Sequence, residues 1–364
     1  MPKEKLRILI AAGGTGGHVF PAIAIADEIK KVNLNAEFLF VGTKGKIEAR
    51  TVPQRGYAFT NIWISGFHRR FQADNLLFPI KVVVSLVQSF FLIRKFQPNV
   101  VVGTGGYVCG PILLIGSMLG IPTIIHESNS YPGVTTRLLS MRVTRIFTAF
   151  NATKRWLKKK DNVELIGTPT RDVLGTISHE HGIRFFNLDP SKKTVLIFGG
   201  SLGAASINLA VREMMHELTD AGIQFIWQTG KSDTTLVEEM KIKKNTWVGI
   251  FIDKMEYAFA AADVVVCRAG ATTLAELTCL GKAAILVPYP YAAADHQTFN
   301  ARSLVDSGAA IMVTDRNVKT ILKDELISIL TDDKKRQRIS EACRKLGKPH
   351  AGEEIARRIL DIAK

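Results

Sequence analysis

Short apolar runs alternate along this chain with longer stretches in which apolar residues recur every three to four positions. The short runs predict strands at 7–11, 37–41, 100–103, 123–126, 145–148 and 164–166. A second series follows at 194–198, 224–228, 246–251, 263–267, 284–288 and 309–313. Several, such as VLIF and DVVVC, are apolar throughout rather than alternating, the pattern of strands covered on both faces of a parallel sheet. Strands separated by helical stretches predict a doubly wound α/β architecture.

The two series read as two copies of one plan. ILIAAGGTGGHVFPAIAIADEI (8–29) and TVLIFGGSLGAASINLAVREMM (194–215) each run strand, glycine-rich turn, helix, with Gly13, Gly14 and Gly17 matching Gly199, Gly200 and Gly203. Two domains are expected, at 1–170 and 194–340. The stretch 171–193, polar and weakly periodic with an Asp-Pro pair, reads as their connection. The charged helical tail 341–364 has no strand after it and is expected to pack back on the first domain.

A length of 364 residues suits two cores, and 46% hydrophobic with 22% charged residues is an ordinary globular balance. The four cysteines have no CxxC spacing, which argues against a zinc site or disulfide framework and for a reducing compartment. No run reaches the ~18 apolar residues of a membrane span, and the opening apolar run is too short for a signal peptide. The protein is expected to be soluble or to lie on a membrane. A net charge of +15 points to an anionic partner: nucleic acid, anionic lipid or a phosphorylated substrate, against the plain alternative of a solvated basic surface. No nucleic-acid module is recognisable, so nucleic acid is the least expected of the three.

Three glycine turns follow strands, at 13–17, 103–110 and 199–203. Glycines let backbone approach a ligand, and N–H groups at a helix start favour anions. The dinucleotide fingerprint fails, because Val19 stands where its third glycine belongs and the second strand ends in Gly42-Thr43 without an acid; there is no P-loop either. His18, after the first turn, is either a base or a capping and ligand-orienting residue. His126 and Glu127, at a strand's carboxyl end, face a ligand crevice or form a structural network. At 267–276, CRAGATTLAE again runs from strand to helix. There Thr272 and Thr273 can bond phosphate and Glu276 can accept two hydroxyls, with a surface salt bridge as its alternative. Gln297 and Asn300 carry amides suited to sugar hydroxyls.

The ordered motifs GGTGGHVFPA, GTGGYVCGP, HESN, GTPTR, GGSLGA, FID, CRAGATTLAE and DHQTFNA resemble those of the MurG-type N-acetylglucosaminyltransferases over essentially the whole chain. The resemblance implies a GT-B fold, two Rossmann-like doubly wound domains facing a central cleft. It implies inverting transfer of N-acetylglucosamine from UDP-N-acetylglucosamine to the 4-hydroxyl of a lipid-linked muramyl-pentapeptide acceptor. On it, Arg171 and Ser201 meet the donor diphosphate, Ile252 meets uracil through its backbone, Ala271, Thr272 and Thr273 line the nucleotide, and Glu276 takes the ribose hydroxyls. Thr15, Gly16, Gly17, Asn129 and Gln297 approach the sugar. Gly14, Gly105, Gly106 and Tyr107 hold the acceptor diphosphate. His18 leads as catalytic base, with Glu127 and His126 behind it. No cofactor is required and no metal site is expected: the chain has no D-x-D, so Mg²⁺ enters only as a loosely bound ion.

The stretch 67–96 interleaves Leu76, Leu77, Phe78, Phe90, Phe91 and Phe96 with His68, Arg69, Arg70, Lys81, Arg94 and Lys95. It suits an anionic membrane surface on the cytoplasmic face. Much of 82–93 is expected to be core, with 67–80 supplying the patch. Proteins of the wall-synthesis machinery are candidate partners. Same-fold alternatives are a UDP-N-acetylglucosamine 2-epimerase and a diacylglycerol glycosyltransferase.

Overall fold

The computed structural model describes residues 5–66, 77–171, 173–231, 237–238 and 245–363. The expectations placed on His68, Arg69, Arg70 and Leu76 lie outside the described residues. The chain divides into two compact units, Met1–Thr170 with Pro349–Lys364, and Arg171–Lys348.

The first unit carries a parallel sheet of β1 (Arg7–Ala12), β2 (Glu37–Gly42), β3 (Ala58–Asn61), β4 (Val100–Gly105), β5 (Thr123–Glu127), β6 (Arg145–Thr148) and β7 (Val163–Leu165), in the order β3-β2-β1-β4-β5-β6-β7. Ile8 and Ile10 enter the core on one face, Leu9 and Ala11 the core on the other, so β1 has no polar face to show. The edge strand β3, AFTN, has no apolar run and its pattern did not announce it. The helices are α1 (Gly16–Val32), α2 (Ile47–Gln54), α3 (Phe78–Phe96), α4 (Cys109–Met118) and α5 (Val134–Leu139). β1 lies between β2 and β4. The chain therefore winds outward in both directions from β1, and the crevice for ligands opens at the carboxyl ends of β1 and β4.

The second unit begins with α6 (His179–Phe185) and repeats the plan. Its sheet of β8 (Thr194–Phe198), β9 (Gln224–Gln228), β10 (Thr246–Gly249), β11 (Val264–Cys267), β12 (Ala283–Leu286) and β13 (Ile311–Met312) has the order β10-β9-β8-β11-β12-β13, all parallel. Its other helices are α7 (Ala205–Asp220), α8 (Met255–Ala261), α9 (Ala271–Leu280), α10 (His296–Val305), α11 (Val318–Thr331) and α12 (Asp333–Lys345). The last helix, α13 (Ala351–Ile362), returns to the first unit and buries Ile355, Ala356 and Ile359 in the core beside α1.

The stretch 171–193, expected as the connection, groups with the second unit. An added Cβ on Gly182 of α6 would lie 2.6 Å from the Tyr257 carbonyl and the Ala261 amide, so its missing side chain lets α6 press against α8. Phe185 and Phe186 then pack on Tyr257 and Trp247.

Candidate functional site

In the first unit two glycine turns meet at the switch point. The Gly13 N–H donates to the Gly105 carbonyl (3.2 Å). Gly106 sits at φ +89° with its Cα so near that an added Cβ would overlap the Gly13 carbonyl. A Gly106→Ala chain is expected to lose well over the ~1–2 kcal/mol of the left-handed conformation alone, since backbone must also move. Thermal denaturation checks this, and an unchanged Tm contradicts the close approach. Among the described residues the amides of Thr15, Gly16 and Gly17 at the start of α1 show no hydrogen-bond partner, which leaves donors for a ligand.

His18 leans over this junction, half-buried. Its Nδ1 lies 3.0 Å from the Gly13 carbonyl oxygen. A carbonyl only accepts, so Nδ1 carries the proton and Nε2 is the basic nitrogen of the neutral ring. The ring occupies the space a Cβ on Gly105 would need.

The other two candidate bases have their polar atoms bonded inside the fold. His126 is wholly buried with Nε2 2.9 Å from the Gly167 carbonyl, and burial holds its imidazolium form down. Glu127 accepts from the Asn129 and Gly133 amides (3.1 and 3.0 Å) and the Thr136 hydroxyl (2.7 Å), so its carboxylate organises the start of α5. Two of the expected acceptor-diphosphate positions have their N–H groups bonded within the fold. The Gly14 N–H turns inward to Glu48 Oε2 (3.1 Å) and the Gly105 N–H to Cys109 Sγ (3.2 Å). The amides of Gly106 and Tyr107 carry no such bond, and the Tyr107 side chain is exposed.

Helix α3 departs in part from the expectation that much of 82–93 is core. Lys81, Ser85, Ser89 and Ile93 face inward, while Ile80, Val83, Val87, Phe90 and Phe91 are exposed. The two serine hydroxyls bond the helix's own carbonyls, Ser85 to Val82 and Ser89 to Ser85, which satisfies them without an outside partner. The inner face is slim at the two serines; Val82, Leu92, Ile93 and Phe96 pack against the core, and the bulky residues on the opposite side stay exposed.

In the second unit the turn after β8 packs on Gly230: a Cβ on Gly203 (φ +88°) would overlap the Thr229 carbonyl. Ser201 stands exposed on this turn. Helix α9 starts from Gly270 with no side-chain cap, so the first-turn amides of Ala271, Thr272 and Thr273 point outward, joined by two threonine hydroxyls. One turn further in, Glu276 is 4% exposed. Arg171 Nε lies 3.1 Å from its Oε1, yet off the hydrogen-bond angle, so Oε1 has no hydrogen-bond partner among the described residues. Burial pushes the Glu276 carboxyl up to about 7, and the half-exposed Arg171 offsets this only in part.

The Ile252 N–H donates to Gln228 Oε1 (2.9 Å), leaving its carbonyl as the backbone group open to a ligand. The same amide's Nε2 donates to the Gly200 carbonyl (2.9 Å), which ties this position to the glycine turn. Gln297 Oε1 accepts from the Tyr289 N–H (2.9 Å), so its NH₂ is the end that can donate elsewhere.

Sequence reasoning missed two organising residues. Glu48 is fully buried beneath the first turn; the signal was an acid on α2 soon after Gly42-Thr43. Arg268, inside a motif that was noticed, donates to the Val287 and Pro288 carbonyls (both 3.1 Å), to Asp315 (2.5 Å) and to Ser206 (3.0 Å), and its guanidinium sits over Tyr289. It thereby fixes the loop that leads to Gln297.

Residues 8–148 match the glycosyltransferase family 28 N-terminal domain, and residues 194–355 the family 28 C-terminal domain. The UDP-N-acetylglucosamine–N-acetylmuramyl-(pentapeptide) pyrophosphoryl-undecaprenol N-acetylglucosamine transferase of Prosthecochloris aestuarii is 42% identical, covering 98% of this chain and 99% of its own. The enzyme of the same name from Flavobacterium psychrophilum is 39% identical over 99% of this chain and 98% of its own. The crystal structure of Acinetobacter baumannii MurG matches with a TM-score of 0.77 at 26% identity, over 98% of this chain and 99% of that one. A UDP-N-acetylglucosamine 2-epimerase structure shares the fold alone, with a TM-score of 0.61 at 14% identity over 98% of this chain and 95% of that one. With both of its domains in sequence and two Rossmann-like units of the GT-B class in structure, the chain belongs to glycosyltransferase family 28.

Proposed function

We propose that this chain is a hexosyltransferase that moves N-acetylglucosamine from UDP-N-acetylglucosamine to the 4-hydroxyl of undecaprenyl-diphospho-N-acetylmuramyl-pentapeptide, a step of peptidoglycan synthesis. The observation that carries this reading is the full-length identity of about two residues in five with transferases of that name. The likeness to epimerases extends to the fold alone.

The residues divide the work. Glu276 offers the ribose hydroxyls a buried carboxylate whose Oε1, ion-paired with Arg171, accepts no hydrogen bond among the described residues, and the Ile252 carbonyl serves the base. The outward amides at the start of α9, Ser201 and Arg171 take the charge that grows on UDP as it leaves. Gln297 donates to the sugar. In the first unit the amides of Thr15, Gly16 and Gly17 serve the sugar, and those of Gly106 and Tyr107 the acceptor diphosphate. His18 Nε2 takes the proton of the attacking hydroxyl, and one displacement inverts the anomeric carbon. Labelled UDP-N-acetylglucosamine incubated with the lipid-linked muramyl pentapeptide should give labelled lipid and UDP. Free N-acetylmannosamine formed from the donor alone would instead make the chain an epimerase.

The acceptor is a lipid, and α3 supplies the means to reach it on the cytoplasmic face of the membrane. No helix among the described residues is long and apolar enough to cross a bilayer. The exposed Val83, Val87 and Phe91 offer apolar area, and Arg94 and Lys95 end the helix with cations for anionic headgroups. Replacing Val87 and Phe91 with Ser is expected to weaken binding to anionic vesicles at least about tenfold, with an unchanged Tm because neither side chain is core. Co-sedimentation equal to wild type would remove α3 from the docking surface.

A further inference from the structure

The proton-transfer role of His18 leaves Glu48 unexplained. Its side chain is fully buried on α2, and a buried carboxylate is costly unless every lone pair finds a donor. The donors are there: Oε2 accepts from the Gly14 N–H (3.1 Å), and Oε1 accepts from both the N–H and the hydroxyl of Thr43 (3.0 and 2.6 Å). Room was made for it as well. A Cβ on Gly13 would lie 2.9 Å from Oε1, and one on Gly42 would overlap the Glu48 side chain.

The Gly14 N–H and the Gly13 carbonyl belong to one peptide unit. That unit is planar and trans, so its N–H and C=O point in opposite directions. Glu48 holds one end (3.1 Å) and His18 Nδ1 is bonded to the other (3.0 Å). The Gly13 N–H, bonded to Gly105, pins the preceding peptide. We infer that Glu48 is a positioning residue for the transfer reaction, acting on His18 through the Gly13–Gly14 peptide. The carboxylate fixes that peptide's orientation, and with it the Nδ1–H tautomer that leaves Nε2 basic. It also polarises the peptide, because hydrogen bonds in a chain strengthen one another. The carbonyl thereby becomes a better acceptor for the imidazolium that forms when Nε2 takes a proton. The logic is that of a carboxylate orienting a catalytic histidine, with a peptide unit inserted between the two. All three partners are donors and both oxygens accept, so an amide, whose NH₂ cannot accept, would leave a donor unpaired there.

The inference rests on His18 being the base, so the test separates the two. The full chain is assayed with lipid-linked acceptor as wild type, H18A, E48Q, the H18A/E48Q double variant and T43V. E48Q should lower kcat on the order of tenfold, within the range seen when a ligand's outer partner is removed. It should move the acid limb of the kcat–pH profile to lower pH, and leave the KM for UDP-N-acetylglucosamine within about twofold, since the residues assigned to the nucleotide are in the second unit. In the H18A background E48Q should cost nothing further. T43V removes a donor from Oε1 but leaves Gly14 held; it should lower Tm and leave the acid limb in place. E48Q with wild-type kcat and an unmoved limb overturns the inference while the His18 reading stands. An equal E48Q loss with and without His18 overturns it too, as an effect on the fold. Near-normal turnover in H18A takes down the base reading, and this inference with it.

Discussion

A His18→Ala enzyme saturated with both substrates is expected to turn over about 10²–10⁴ times more slowly than wild type, the usual contribution of a positioned general base. The expectation comes from the ring's setting. Its Nδ1 is spent on the Gly13 carbonyl, so the neutral ring has one basic atom, Nε2. His126 and Glu127, the other titratable groups near the carboxyl end of β5, have their polar atoms committed inside the fold. They cannot substitute for it without unravelling the start of α5 or the Gly167 turn. Because the ring rests against Gly105 and is not core, Tm should hardly change. Saturating steady-state kinetics decide the matter: a kcat within a few-fold of wild type removes His18 as the base.

Glu276→Gln is expected to damage donor binding and strengthen the empty protein. Two hydrogen bonds from ribose hydroxyls to a charged acceptor contribute about 1.5–3 kcal/mol each at best. Losing most of that raises the donor KM about 10²-fold. The stability effect has the opposite sign. Burial raises the Glu276 carboxyl from 4.5 to about 7 in the folded chain. The folded state therefore binds the proton more tightly than the unfolded state. Between those two values stability falls as pH rises, by up to about 3 kcal/mol, and stays low above about 7. The neutral amide escapes this penalty, so the donor-free variant should melt higher than wild type at pH 8 and about equally near pH 4.5. Arg171 does not cancel the effect, since its guanidinium is half-exposed and screened. In wild type, donor affinity should weaken as pH drops through about 7 and the carboxylate takes a proton. A variant KM within twofold of wild type would detach Glu276 from the ribose. A pH-independent Tm difference would contradict the buried-charge account.

Both sheets were legible in the sequence because strands buried on two faces are written as unbroken apolar runs, and the glycine turns mark where each β1- or β8-type strand ends. The edge strand β3 was not, since a partly exposed edge needs no apolar pattern. For α3 the sequence was misleading. VVVSLVQSFFLI reads as core on hydrophobicity, and only packing decided that Ser85, Ser89 and Ile93 face in while Val83, Val87, Phe90 and Phe91 face out. Periodicity identifies a stripe on a helix but not the side that meets protein.

The candidate site divided along similar lines. Sequence alone determined which residue types could meet phosphate, sugar and ribose, because those groups demand glycine backbone, amides and a carboxylate near helix starts. The family resemblance put His18 ahead of Glu127 and His126, but these polar residues beside strand ends gave no physical ground for the order. That ground lies in burial and in which atoms are already bonded, and both depend on segments far apart in the chain. Glu48 shows the limit most clearly: 34 residues separate it from Gly14, and only the folding of β1 beside β2 brings its carboxylate under the turn. The chain's residues determine the chemistry on offer; the tertiary structure decides which donors and acceptors are spent on the fold and which remain for a substrate.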